Sequence, residues 1–428
     1  MENENVYSIL GLRKGAPDGE IKKAYVELIK KFDPEKHTDR FMVIQSAYER
    51  LRHPEKRARE DVLVFNYFRG RFLFTEDERT NDPDPKVNQE LQALQTEHSQ
   101  KEKDPEVEAA YIRVLMKRSF KKVGKRLWAE AMEDWQKILE INPTHQRAKS
   151  NVLYSYLTLG YSYAEHGLYE EAIELWEKAA QMNPDDADLI HNLAIGCGLA
   201  GKGEQSKRYW TETLRRWQAR LEKDPDDTYT KGLIIEARRH LGGQQAIREE
   251  GKPAPSSVEE YREILKINPD DFEAQYKIAS AVYEQQKWPE ATDAWTQMVK
   301  KYPKNIEALN MLGWSLLNAG HIDRAFQMWN RALAMDPKNH SVREAVIKAR
   351  MSVGRAFRNR GMFTQSLVQF KALLRYMPKS AEVFMEIGET YMLKGDKRSA
   401  AQAYRTALQL DPKNREAKQR MSDMKLRV

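Results

Sequence analysis

The strongest constraint on this chain is a proline that keeps returning. Pro143, Pro184, Pro225, Pro269, Pro303, Pro337, Pro378 and Pro412 each close a stretch with the same grammar. From Pro269 to Pro303, from Pro303 to Pro337 and from Pro378 to Pro412 the step is 34 residues. Residues 306–337 show that grammar. Leu309, Leu312, Leu316 and Leu317 recur at three- and four-residue steps, which is one face of a helix. Gly313 lies on that face, where a missing side chain admits a second helix. Gly320 permits a tight turn. Ala325, Trp329 and Ala332 give the next helix a matching face, and Pro337 stops it. One such pair cannot bury its apolar face alone, so a chain that repeats it must stack it.

A helix–turn–helix of 34 residues is the period of the tetratricopeptide repeat. In the last unit Phe384, Ile387, Gly388, Tyr391, Gly395, Ala400, Tyr404, Ala407 and Pro412 resemble that family's signature. The resemblance runs from residue 105 onward. It implies an all-α chain whose main part, 105–412, is a right-handed solenoid of about eight helix pairs. A capping helix is expected over 413–428. From Pro143 to Pro184 the step is longer by seven residues, two helical turns, which lengthens a helix without moving its buried face. The fourth repeat, 226–268, is irregular. Gly242, Gly243, Gly251 and the run KPAPSS interrupt it, so a bend is expected there.

Residues 1–68 read as a separate helical module. Short helices are expected over 5–12, 18–31, 39–51 and 54–61 from their apolar spacing. The runs YSILGL, EIKKAY, KKFDPEK, RFMVIQSAYERL and HPEKRARED resemble a J-domain, in the right order. That resemblance implies an antiparallel helical hairpin that docks on a DnaK-type chaperone and stimulates its ATPase. The docking face would carry Lys22, Lys23, Lys30, Lys31 and Lys36. The family's His-Pro-Asp loop is matched here by Asp33, Pro34 and Glu35. An acid replaces the histidine, and the terminal acid is one methylene longer. Weak stimulation or none is the expectation.

Residues 69–104 are polar and read as a linker with one short helix carrying Val87, Leu91 and Leu94. Just before and within it, Tyr67, Phe68, Phe72, Leu73 and Phe74 form a patch that must be covered, by the J-like module or by the first repeat.

Catalysis finds little support. Residues 201–207, GKGEQSK, lack the spacing of a phosphate loop and fall at a turn inside a repeat. The histidines have no ligand spacing, and the one cysteine, Cys197, lies on an apolar helical face. No enzyme activity, cofactor or metal is expected. The start of the chain is acidic and polar, and no apolar run approaches a membrane span, so a cytoplasmic setting is expected. The net charge of +7 weakly favours acidic partners.

In a solenoid of this kind the first helix of each pair lines the inner side. Inner-side candidates for a peptide-binding groove are Phe120, Tyr161, His191, Tyr276, Tyr283, Asn310, Trp314, Met351, Arg355 and Arg358. Some repeat domains hold acidic tails with a lysine–asparagine clamp. The places that would carry the asparagine hold Phe120, Tyr161, Ile195, Ser280, Trp314, Arg355 and Glu389, so that clamp is absent. The groove reads as aromatic in its middle and basic near Lys348, Arg355 and Arg358. It suits a peptide or helix with apolar anchors and some acid. The favoured function is a protein–protein interaction scaffold of co-chaperone type. One alternative is an assembly adaptor whose J-like module only docks or oligomerises. Another is an RNA-associated protein using the basic run Arg113, Lys117, Arg118, Lys121, Lys122, Lys125 and Arg126.

Overall fold

The computed structural model describes residues 6–68, 70–100, 104–248 and 255–424. Among them it has 22 helices and no strand. The chain divides into two units, Met1–Gln244 and Gln245–Val428, which are taken separately.

The first unit begins with α1 (Val6–Ile9), α2 (Asp18–Lys31), α3 (Thr38–Leu51) and α4 (Pro54–Asp61). α1 is shorter than expected because Gly11, at φ 69°, turns the chain; residue 5 lies outside the described residues. α2 carries Asp18 and Glu20 in its first turn and Lys30 and Lys31 in its last, each sign matching the helix dipole. Tyr25 of α2 stacks on Tyr48 of α3 at 4.0 Å, and Ile21, Ile44, Ala47 and Leu51 close the small core with Val6 and Tyr7.

The stretch read as a linker holds a full helix, α5 (Asp84–Gln100). Its thin stripe suffices because Val87 and Leu91 are buried in the core of the first helix pair. Then come α6 (Pro105–Gly124), α7 (Trp128–Ile141), α8 (Gln146–Glu165), α9 (Tyr169–Met182), α10 (Ala187–Leu199), α11 (Gly203–Lys223) and α12 (Thr228–Arg248). The J-like helices and these repeats pack into one compact unit. Trp135, Trp176 and Trp210 fill the seams between helices. At one seam a Cβ on Gly160 would stand 2.5 Å from the Trp176 ring, so only glycine lets the ring in. α12 continues through Gly242 and Gly243, which do not end it; Gly251 and residues 252–254 lie outside the described residues.

The second unit contains α13 (Pro255–Ile267), α14 (Phe272–Glu284), α15 (Trp288–Lys301), α16 (Ile306–Asn318), α17 (Ile322–Met335), α18 (His340–Asn359), α19 (Phe363–Leu373), α20 (Ala381–Lys394), α21 (Lys397–Leu410) and α22 (Arg415–Asp423). In the first unit α6 to α11 form three helix pairs, and in the second α14 to α21 form four. Asp271, Asn305, Asn339 and Ser380 cap successive first helices by accepting from backbone N–H groups. α22 buries Ala417 and Met421 in the core of the last pair and so covers its apolar end. No helix among the described residues is long and apolar enough to cross a membrane.

Candidate interaction surfaces

Past α4, residues 65–68 and 70–74 form neither helix nor strand. Such a segment brings unpaired backbone groups and several aromatic rings, and both need partners. α8 and α10 supply them. Asn192, fully buried in α10, accepts the Asn66 N–H at 2.6 Å and donates to the Asn66 carbonyl at 2.9 Å. Asn151, fully buried in α8, does the same for Leu73, at 2.7 and 3.0 Å.

The neighbours of each clamped residue turn inward, as alternation in an extended chain requires. Phe65 lies 5.3 Å from Trp176 and Tyr67 lies 5.2 Å from Tyr161. Phe72 stacks on Trp135 at 5.1 Å, and Phe74 meets Phe120 edge-on at 5.2 Å. A Cβ on Gly70 would stand 2.8 Å from the Tyr154 ring, so glycine lets the strap pass. The expected aromatic patch is covered by the repeats. The expected open groove at Phe120, Tyr161 and His191 is therefore corrected: the chain's own strap fills it.

His191 anchors the strap's start. Its Nε2 lies 2.7 Å from the Val62 carbonyl, which can only accept, so the proton sits on Nε2. Its Nδ1 then accepts from the Asn66 amide at 2.8 Å. Trp210 and Trp217 pack on the ring at 5.2 and 5.1 Å. Burial pushes its pKa down to about 3, Lys14 adds to the fall, and the Val62 carbonyl opposes it. The imidazole is neutral.

The J-like module is held by the end of α4. Asp61 Oδ2 accepts from Tyr7 at 3.1 Å and from Tyr229 of α12 at 2.6 Å. Lys14 donates to the carbonyls of Asp61, at 2.5 Å, and Val64. Burial raises the Asp61 carboxyl and both tyrosines, and it lowers Lys14 to about 8. Arg57 lies 4.8 Å over the Tyr229 ring and pairs with Asp18 at 2.5 Å. Arg59 reaches Glu236 at 3.3 Å.

The opposite side of the module faces solvent. Lys22, Lys23, Lys30 and Lys31 are exposed, as are Asp33, Pro34, Glu35 and Lys36. The loop is nevertheless ordered. Asp33 Oδ1 accepts the Glu35 N–H at 2.8 Å, and the Thr38 hydroxyl donates to the Pro34 carbonyl at 2.7 Å. Phe32 packs edge-on against His37 at 5.7 Å.

Four residues of the basic run are paired inside the unit. Arg118 and Lys122 both pair with the fully buried Asp134, while Lys121 and Lys125 pair with Asp84 of α5. Two carboxylates thus offset two of these four positive charges.

In the second unit no strap lies on the first helices among the described residues. Tyr276 donates to Glu307 at 2.5 Å, and Tyr283 accepts from Asn318 at 3.2 Å. Asn310 accepts the Trp329 N–H at 2.9 Å. Trp314 stands edge-on to Trp329 at 5.3 Å and is half-buried. Met351 and Arg355 line a hollow of about 590 Å³ between α18 and α20. The expected basic patch is corrected. Arg355 and Arg358 both bind Glu386 at 2.6 Å, and Arg355 also meets Glu382 at 3.1 Å, so their charge is compensated.

Sequence reasoning passed over Asn151, Asn192, Lys14, Asp61 and Tyr229. One signal was available: an asparagine inside the apolar run LIHNLAIGC needs a polar partner that the helix itself does not offer.

Residues 5–61 match the DnaJ domain family. Residues 154–186, 273–305 and 381–414 match tetratricopeptide repeats. The chaperone protein DnaJ of Clostridium botulinum is 42% identical over 76 residues, 16% of this chain and 20% of that protein. That of Neisseria gonorrhoeae is 40% identical over the same length and shares. The chain thus spans about a fifth of these curated relatives. Among solved structures, the MamA protein aligns with 46% of this chain and 98% of its own, at 16% identity and a TM-score of 0.33.

Proposed function

From a chain that carries a J domain ahead of tetratricopeptide repeats, we propose a non-enzymatic scaffold of co-chaperone type. α2 and residues 33–36 dock a DnaK-type chaperone. The inner face of the second unit, with Tyr276, Tyr283, Asn310, Trp314 and Met351 as anchors, holds a protein client. One observation carries this reading. The J domain's surface is divided: Asp61 and Arg57 are spent on the repeats, while the four lysines of α2 and the loop are left in water. Exposed lysines on one helix face draw an acidic partner through a salt-dependent field.

Asp33 favours a second reading, an adaptor that docks without stimulating. Its carboxylate is turned back onto the Glu35 N–H and brings a negative charge where the family has an imidazole. One experiment separates the two. The full chain is tested for binding to a DnaK-type ATPase and for its effect on turnover. Binding is expected to fall at least ~10-fold, or ~1.4 kcal/mol, on Lys22→Glu with Lys23→Glu. Turnover is expected to rise weakly, then strongly on Asp33→His with Glu35→Asp. Binding with no stimulation by either form selects the adaptor. No binding at low salt overturns the docking itself.

A further inference from the structure

The strap is held by one device used twice. Each device is a buried asparagine that binds both backbone groups of one residue, plus an aromatic ring on either side. The clamped residues, Asn66 and Leu73, are seven apart and chemically unlike. The Leu73 side chain, exposed at 37%, does not decide the fit, whereas the Asn66 amide adds hydrogen bonds to His191 and Asp188. What the groove reads is an extended backbone with rings at alternate places. Among its described residues, 65–74 makes no backbone hydrogen bond of its own. Its conformation therefore comes from the groove, not from itself. The two asparagine side chains, fully buried, also need a backbone to bind whenever the groove is dry.

We propose that the inner face of α8 and α10 is a receptor for extended protein segments carrying two aromatic-x-aromatic triplets with centres seven residues apart, and that residues 65–68 and 70–74 are its resident occupant. Phe65 to Tyr67 is one triplet and Phe72 to Phe74 the other. The occupant that replaces them is an unfolded stretch of a client, since only an unfolded chain offers backbone and rings together. This site is distinct from the second unit's inner face. It stands or falls independently of chaperone docking.

The probe is a labelled synthetic peptide with the sequence of residues 62–76. The full chain is weakened at its own strap by Phe72→Ala with Phe74→Ala. That variant is expected to bind the peptide with a Kd of about 10 μM or tighter. Wild type is expected to bind at least ~100-fold more weakly, because its own strap competes at millimolar effective concentration. Adding Asn192→Ala to the variant is expected to cost ~10-fold. A peptide with alanine at the four aromatic places should not bind. If the weakened variant loses helicity, a protease site inserted between the exposed Glu76 and Asp77 replaces it. Cutting should then let the labelled peptide exchange into a chain that excluded it before. Failure of a folded variant or a cut chain to take the peptide overturns the proposal. So does binding that ignores Asn192 or the aromatic places.

Discussion

Gly232→Leu is expected to lift the J domain off the repeats while leaving both folded. Gly232 sits on α12 directly under α4. A Cβ there would stand 2.7 Å from the Ala58 Cβ and 3.4 Å from the Glu55 Cα. Neither is the end of a flexible side chain, so nothing can swing aside. Even alanine forces a shift, and leucine adds three more carbons to the same gap. Overpacking a tight contact costs ~1–3 kcal/mol. Separation also breaks the Tyr229–Asp61 hydrogen bond, the Arg57 contact with the Tyr229 ring and the Arg59–Glu236 pair. The buried Asp61 carboxylate then loses one of its two hydroxyl donors, which costs ~1–3 kcal/mol more. A combined loss of ~3 kcal/mol or more lowers the first melting transition by ~6–12 °C in a unit of this size. Hydrogen exchange should rise in α4 and in the Tyr229 turn but not in α16 or α17. An unchanged melt with unchanged protection of α4 would show that the close approach is not what seats the domain.

The helices of this chain were largely legible because their signals are local. α2 and α4 begin and end where their apolar spacing and flanking Pro17 and Pro54 place them. The pairs follow from a glycine, an alanine face and a terminal proline, all within one repeat. α5 reads as one short helix in a linker because its apolar stripe, Val87, Leu91 and Leu94, is thin; the neighbouring pair completes the burial of Val87 and Leu91. Gly242 and Gly243 were read as a break because local preference says so, yet α12 continues through them.

The inner side was less legible for a different reason. Whether Phe120, Tyr161 and His191 are open depends on a segment up to 126 residues away, and the sequence offers no pairing rule for an extended strap. The aromatic run and the buried asparagines were each visible. Their union was not, because it is a contact between a loop and a helix face. Charges misled in the same way. Arg355, Arg358, Lys121 and Lys125 look like a basic surface until Glu386 and Asp84 are set beside them.

The strap also makes the first unit sensitive to acid through His191. In the unfolded chain its imidazole titrates near 6.5, and in the fold burial pushes it down to about 3. Above pH 6.5 neither state carries the proton, and the stability from the neutral ring is fully present. As pH falls through 6.5 the unfolded chain takes up a proton that the folded chain refuses. Stability then drops by up to ~1.4 kcal/mol per pH unit, reaching ~4–5 kcal/mol near pH 3. The cost has a visible source. A second ring proton would sit on Nδ1, facing the Asn66 amide donor at 2.8 Å, with Lys14 adding repulsion. Carboxylates titrate over the same range, so the measurement is a difference. Unfolding free energy is followed by urea from pH 8 to pH 4 for wild type and for His191→Gln. Glutamine can donate to Val62 and accept from Asn66, but it does not titrate. The wild-type curve is expected to fall away from the variant's below pH 6.5, by ~2–3 kcal/mol at pH 4.5. Parallel curves, or a His191 resonance that titrates near 6.5 in the folded chain, would mean that the ring is not sealed between strap and repeat. A sealed ring ties acid, strap and J-domain anchorage to one side chain, because the Val62 carbonyl and the Asn66 amide are both held by it.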